Sequence, residues 1–338
     1  MDQGSTVLVT GATGLVGAHL LYALTAQGQR VRAIRRHSSS TNFVEWVFGL
    51  YTQTPNNQLD MIDWVEADLL DYDSLQVATV GVQTVYHAGA VVSFSPADAH
   101  SILATNVLGV ANLVDACIYN GVAELCHISS VASLGKPNSQ GIIDEQCDWS
   151  TSRGRSVYAQ SKFLGENQAW RAMEMGMRVV VLNPSVILGP GRWESGSGQL
   201  FSRVKRGMPF YTNGTSGYVD VRDVAKAAIA LMEDASIAGE RFVLNAQNIS
   251  FAELFGLMAD AMGRRRPWFR VPRWTTALAY PLLWFGGMVS GRGNRLSWAN
   301  LQSAFKHSHY SNQKIIQRIG FEFIPIEQSI NFIAKQMG

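Results

Sequence analysis

The stretch Thr10-Gly11-Ala12-Thr13-Gly14-Leu15-Val16-Gly17 decides the fold. It follows a short β-rich run at residues 6–10 and opens a helical pattern over 15–27, so its glycines stand at a strand-to-helix turn. Gly11 permits the tight turn, Gly14 lets the backbone approach a pyrophosphate, and Gly17 allows close helix–strand packing. The helix start around Thr13, Leu15 and Val16 offers free N–H groups and a partial positive charge to phosphates. The pattern is that of a dinucleotide-binding turn.

Working outward, further strand patterns occur at 31–34, 61–66, 84–87, 124–129 and 178–188, with helical patterns at 101–120 and 158–175 between them. This alternation predicts an α/β fold, a doubly wound parallel sheet of Rossmann type. Residues 37–59 exceed an ordinary connection and predict an extra edge helix. After Pro190 the alternation weakens: a glycine-rich segment (189–198) and a loop (213–217) flank a short helix, and 249–263 predicts another. The expected organisation is a dinucleotide-binding domain at 1–190, rejoined by 218–246. A smaller, mostly helical substrate-binding region then comprises 191–217 and 247–338.

The second strand ends Arg35-Arg36-His37, with no carboxylate until Glu45. An NAD binder places an acidic residue at that strand end for the ribose 2′-hydroxyl, whereas two guanidinium groups suit a 2′-phosphate. The expected cofactor is therefore NADP(H) rather than NAD(H).

The chain has 338 residues, 47% of them hydrophobic, and a formal net charge of +2. That near-balance gives no footprint for nucleic acid. Cys117, Cys126 and Cys147 sit in neither metal-like nor disulfide-framework spacing, so no metal is expected and a reducing, cytoplasmic setting is. The apolar run 274–291 is broken by Pro281, Gly286 and Gly287 and falls short of the ~20 residues a spanning helix needs. Stable membrane insertion is not expected, and surface attachment is left open.

Tyr158-Ala159-Gln160-Ser161-Lys162 puts a phenol and an ammonium on one helix face. A lysine cation and an oxidised nicotinamide nearby would lower the phenol pKa from ~10 and let Tyr158 exchange a proton with a carbonyl or alcohol oxygen. Ser129 and Ser130 close the fifth strand, where ligands bind in such sheets; either hydroxyl could contact the substrate oxygen.

These residues resemble the extended short-chain dehydrogenase/reductase family, the NAD-dependent epimerase/dehydratase superfamily, over nearly the whole chain. The matching pieces are the glycine turn, Asp68-Leu69, His87-Ala88-Gly89-Ala90, Asn106, Ser130 and Tyr158/Lys162. The resemblance implies that Asp68 and Leu69 lie at the adenine and that Ala88, Gly89 and Ala90 line the cofactor. It implies further that Asn106 holds a structural or proton-relay water, that Lys162 also binds the nicotinamide ribose, and that Ser130 rather than Ser129 is the site serine, five residues before Gly135. Residue 89 is usually alanine in the family. Asn183-Pro184-Ser185 and the segment 218–225 (Tyr-Val-Asp-Val-Arg-Asp-Val-Ala) resemble the dihydroflavonol 4-reductase-like branch, which adds Pro184 and Ser185 to the expected cofactor contacts. A homodimer through helices 101–120 and 158–175 is a further family expectation.

Trp193, Phe201, Phe210, Tyr211, Trp268, Phe269, Trp274, Trp284 and Phe285 suggest an aromatic pocket for a small hydrophobic aldehyde, ketone or alcohol. The expected activity is carbonyl reduction, or alcohol oxidation, by hydride transfer. The alternatives are a nucleotide-sugar epimerase/dehydratase with tightly bound NAD, and a non-catalytic dinucleotide-binding sensor.

Overall fold

The computed structural model describes residues 7–152, 154–275 and 303–337. The first half alternates as its periodicity predicts. Strand β1 (Val7–Thr10) leads into helix α1 (Leu15–Ala26), β2 (Val31–Arg35) follows, and α2 (Asn42–Gly49) and α3 (Pro55–Leu59) precede β3 (Ile62–Glu66). The long 37–59 connection thus holds two short helices rather than one; a proline at the start of α3 begins the second. Next come α4 (Tyr72–Thr79), β4 (Thr84–His87), α5 (Ala99–Leu103), α6 (Gly109–Tyr119), β5 (Glu124–Ile128), β6 (Ile142–Ile143), α7 (Val157–Glu174) and β7 (Arg178–Pro184).

Residues 104–108 join α5 to α6 by a widened π turn, so one continuous helical run spans Pro96–Tyr119. That run is long and apolar enough to cross a membrane, yet Ile102, Val110, Leu113 and Val114 are buried in the protein core.

The remaining elements are β8 (Val186–Leu188), α8 (Gly198–Lys205), β9 (Phe210–Tyr211), β10 (Thr215–Asp220), α9 (Val221–Glu233), β11 (Glu240–Leu244), β12 (Gln247–Ser250), α10 (Phe251–Ala261), β13 (Phe269–Arg270), β14 (His309–Tyr310), α11 (Gln313–Ile319) and α12 (Ile326–Lys335). Seven parallel strands form the main sheet in the order β11-β7-β5-β4-β1-β2-β3. The order reverses between β1 and β4, and the crevice at their C-terminal ends is where doubly wound sheets bind ligands. Near-continuous apolar strands such as Val179–Leu182 are buried because helices cover both faces.

The single run expected at 178–188 is two strands. Pro184, lacking an N–H, ends β7, and Ser185 donates its own N–H to the Leu244 carbonyl at 2.9 Å. After this step β8 joins a second sheet, β12-β10-β8. Residues 215–217, expected in a loop, lie in β10; strand pairing with β12 overrides their glycine-rich composition. Residues 276–291 of the apolar run, with Trp284 and Phe285, lie outside the described residues.

α7 reaches the π turn through Gly165, where a Cβ would lie 2.3 Å from the Asn106 carbonyl oxygen. Gly165→Ala must therefore separate two helices, and overpacking of this kind costs about 1–3 kcal/mol. A melting temperature lowered by several degrees is expected; an unchanged value would mean the helices separate freely.

His87 and His127 stack at 5.2 Å in the sheet, and His19 lies on α1. Burial lowers the pKa of His87 to about 3, of His19 to about 4, and of His127 well below its usual value. The unfolded chain binds these protons near pH 6.5 and the native one does not, so stability falls as pH drops below about 6.5. Asp223, raised by burial to about 6, opposes this only between about 6 and 3.8. The melting temperature should fall on acidification from pH 7 to 5, and His127→Phe should flatten that fall.

Candidate active site

The glycine turn is built as a phosphate cradle. Gly11 has φ +66°, and a Cβ there would lie 2.5 Å from the Gly89 nitrogen, so the turn and the 87–90 loop touch through backbone. At Gly17 a Cβ would sit 2.2 Å from the Gly11 carbonyl oxygen. No side chain caps the start of α1 and its first turn has no carboxylate, which leaves its N–H groups to an anion. Gly89 also accounts for the departure from alanine: a Cβ would press on Leu69 Cδ1 at 3.0 Å.

At the β2 end, Arg35 is half-buried and loosely held to the Ser39 carbonyl at 3.5 Å, and Arg36 is exposed. The structure adds an acid that the sequence reading missed. Glu66 is the register partner of Arg35, and its carboxylate is held by His37 Nδ1 at 3.0 Å. Only strand pairing brings this acid to the cationic cluster. Asp68 accepts the Leu70 N–H at 2.9 Å, which fixes the turn after β3. Ser185 is buried, and its hydroxyl has no partner among the described residues.

The structure separates the two serines. Ser129 turns inward and donates to Glu166 Oε2 at 2.6 Å. Ser130 turns outward, accepts the Ala132 N–H at 3.1 Å, and its hydroxyl faces the Tyr158 phenol closely enough to favour the phenolate. Ser156 caps α7 by accepting the Ala159 N–H, which fixes where Tyr158 emerges. The Phe94 ring meets Tyr158 edge to face at 5.3 Å. Lys162 is buried and donates to the Ile128 carbonyl at 2.9 Å. Burial lowers its pKa to about 8 against the raising effect of Glu166. Burial also raises the Tyr158 pKa, with Ser130 opposing, so in the protein alone the phenol keeps its proton. No lowering by Lys162 is seen in the protein alone, where its ammonium points to the Ile128 carbonyl.

Asn106 is buried at the π turn. Its Nδ2 donates to the Val91 carbonyl and to Ser161 Oγ, both at 3.0 Å, and its Oδ1 accepts the Val91 N–H at 2.8 Å. The side chain thus clamps the loop after β4 to the Tyr158 helix. Asp220 and Asp223 also act structurally. Asp220 caps α9 and pairs with Arg222, while Asp223 accepts the Ile324 N–H at 2.9 Å. Of the aromatic residues expected in a pocket, Phe201 is in the core, Trp193 and Tyr211 are half-buried, and Phe210, Trp268, Phe269 and Trp274 are exposed.

Behind Ser130 lies a group the sequence reading passed over. Glu166, one turn after Lys162, accepts from Ser129, from Ser133 Oγ at 2.7 Å and from Asn183 Nδ2 at 2.8 Å, and its Oε1 lies 3.5 Å from Arg241. Ser133 Oγ also lies 2.7 Å from the Ser130 carbonyl, so its one hydroxyl proton serves either that oxygen or Glu166. Glu166 is therefore a positioning residue for Ser130 and a counter-charge for Lys162. Its four-residue spacing from Lys162 was the available signal.

The chain belongs to the NAD dependent epimerase/dehydratase family, whose model matches residues 7–245. It is thus a nicotinamide-dinucleotide-binding protein of the extended short-chain dehydrogenase/reductase type. It is 30% identical over 333 residues to a Synechocystis sp. protein bearing a provisional dihydroflavonol 4-reductase name, covering 95% of this chain and 91% of that one. It is also 30% identical over 271 residues to sterol demethylase protein B of Methylococcus capsulatus, covering 79% and 77%. Among solved structures, gox2253 superposes with a TM-score of 0.81 at 25% identity over 99% of this chain and 98% of that one.

Glu166→Gln keeps the shape but removes the charge and sets an amide against donors. We expect turnover to fall about tenfold or more while dinucleotide affinity holds. The alkaline limb of the pH–rate profile should move to lower pH, because Lys162 loses the charge that raises its pKa. An unmoved limb would reduce Glu166 to a packing role.

Proposed function

We propose that the protein is an NADP(H)-dependent oxidoreductase that reduces an aldehyde or ketone, or oxidises the alcohol, of a small hydrophobic substrate. The observation that carries this reading is the Ser130 hydroxyl facing the Tyr158 phenol, one helical turn from the buried ammonium of Lys162. Bound NADPH supplies the hydride. Tyr158 donates the proton to the carbonyl oxygen, and its raised pKa keeps it in the acid form that reduction requires. Ser130 orients that oxygen, and Lys162 holds the nicotinamide ribose.

For the rest of the cofactor, the α1 start takes the diphosphate, Asp68 and Leu69 border the adenine, Ala88 to Ala90 line its path, and Pro184 and Ser185 meet the nicotinamide. Arg35 and Arg36 favour a 2′-phosphate, while the Glu66 carboxylate is engaged by His37 Nδ1. The exposed ring of Phe94 beside Tyr158 supports an apolar substrate, as do relatives whose names speak of a dihydroflavonol and a sterol. Residues 191–217 and 247–338 form the substrate region in this reading, and helices α5 to α7 the homodimer face.

Fluorescence titration should give at least about tenfold preference for NADPH over NADH, erased by a double Arg35→Ala/Arg36→Ala change. Tyr158→Phe should keep NADPH affinity and lose about a hundredfold or more of turnover on hydrophobic aldehydes or ketones. Co-purifying NAD(H), or unchanged turnover in Tyr158→Phe, would overturn the reading.

A further inference from the structure

The β9–β13 ribbon presents large rings to the surface. Phe210 and Phe269 are register partners, so they share a face, and each is 50% exposed. Trp268 is 62% exposed and Trp274 67%. Trp268 meets Phe269 edge-on at 6.2 Å, and the Arg265 guanidinium lies 5.8 Å from the Trp268 ring. The frame beneath is closed: Trp268 and Phe269 donate to the Pro209 carbonyl, and Val271 donates to that of Tyr211. A fixed backbone therefore holds these rings in water, where an exposed apolar cluster marks an interaction site.

The charge pattern is an independent observation. The chain as a whole balances 28 Lys and Arg against 26 Asp and Glu, yet residues 261–321 hold ten Lys and Arg and no carboxylate. Arg266 is answered by Asp260, the last acid before this stretch, and Lys314 and Arg318 are answered by Glu240. Arg264, Arg265 and Arg270 are exposed beside the rings. Tryptophan, phenylalanine and arginine together suit the headgroup boundary of a bilayer, with rings at the acyl edge and guanidinium groups on phosphates. In sequence, residues 274–291 then run without a charged side chain, which favours lipid over nucleic acid.

We propose that this aromatic and basic face docks the protein peripherally on membranes bearing anionic headgroups. The docking is separate from the reaction above and is read without turnover. The full chain should float with vesicles of phosphatidylcholine containing about 30% phosphatidylglycerol and weakly with phosphatidylcholine alone, and added salt should release it. Trp268→Ser/Phe269→Ser and Arg264→Gln/Arg265→Gln should each lower the bound fraction about tenfold at an unchanged melting temperature. Absence of flotation by the parent protein, or flotation of both variants equal to it, would overturn the proposal. So would a parent that binds single-stranded DNA but no vesicle, or a dimer abolished by Trp268→Ser/Phe269→Ser in a protein that binds no vesicle.

Discussion

A carboxylate taken out of water needs donors around it, and Glu166 finds them on four separate elements. Ser129 directly follows β5, Ser133 lies in the turn beyond it, Asn183 is on β7, and Arg241 is on β11. Those three strands are consecutive in the sheet. One charge therefore fixes α7 over the sheet edge where Ser130 and Tyr158 meet. Asn183 also reaches the Ser130 carbonyl at 3.2 Å, so the backbone that presents the Ser130 hydroxyl hangs from the same net.

The opposite side of α7 is fixed by shape. Gly165 admits the Asn106 backbone, and the Asn106 side chain then ties down the loop after β4. The widened turn at 104–108 fits this arrangement, since an extra residue in a helical turn redirects side chains that a regular helix would carry past. Polar attachment on one side and close packing on the other leave α7 little freedom. The proton-bearing groups are accordingly set before any ligand arrives.

Local features were the legible ones. The glycine turn and the strands at 84–87 and 124–128 follow from periodicity and short-range sterics with boundaries within a residue or two, whereas β11 was not legible as a strand and the 178–188 run continued four residues beyond β7. The break at Ser185 was hidden because Val186 to Leu188 continue an apolar run whose change of sheet depends on a distant partner, β10. Glu166 was hidden for the same reason: its partners at 129, 133, 183 and 241 are scattered in sequence. Ser129 and Ser130 are adjacent and chemically identical, and only strand alternation sends one inward and the other outward. The aromatic residues of the second half misled in a simpler way, because composition does not distinguish a core ring from a surface one.

The step from β7 into β8 has a consequence for how the molecule can come apart. One covalent run, 178–188, is hydrogen-bonded into both sheets, and the same is true of the pair β11 and β12 two residues apart. Two successive stitches of this kind oppose any sliding or hinging of one sheet past the other. The region after residue 190 is thus not a detachable module. A chain cut there would expose the apolar edge of β7 and forfeit the partner of α1, since α9 comes from beyond the cut. Variation in what the second half recognises has to be accommodated in the connections that leave and re-enter these two seams, while the seams themselves stay fixed.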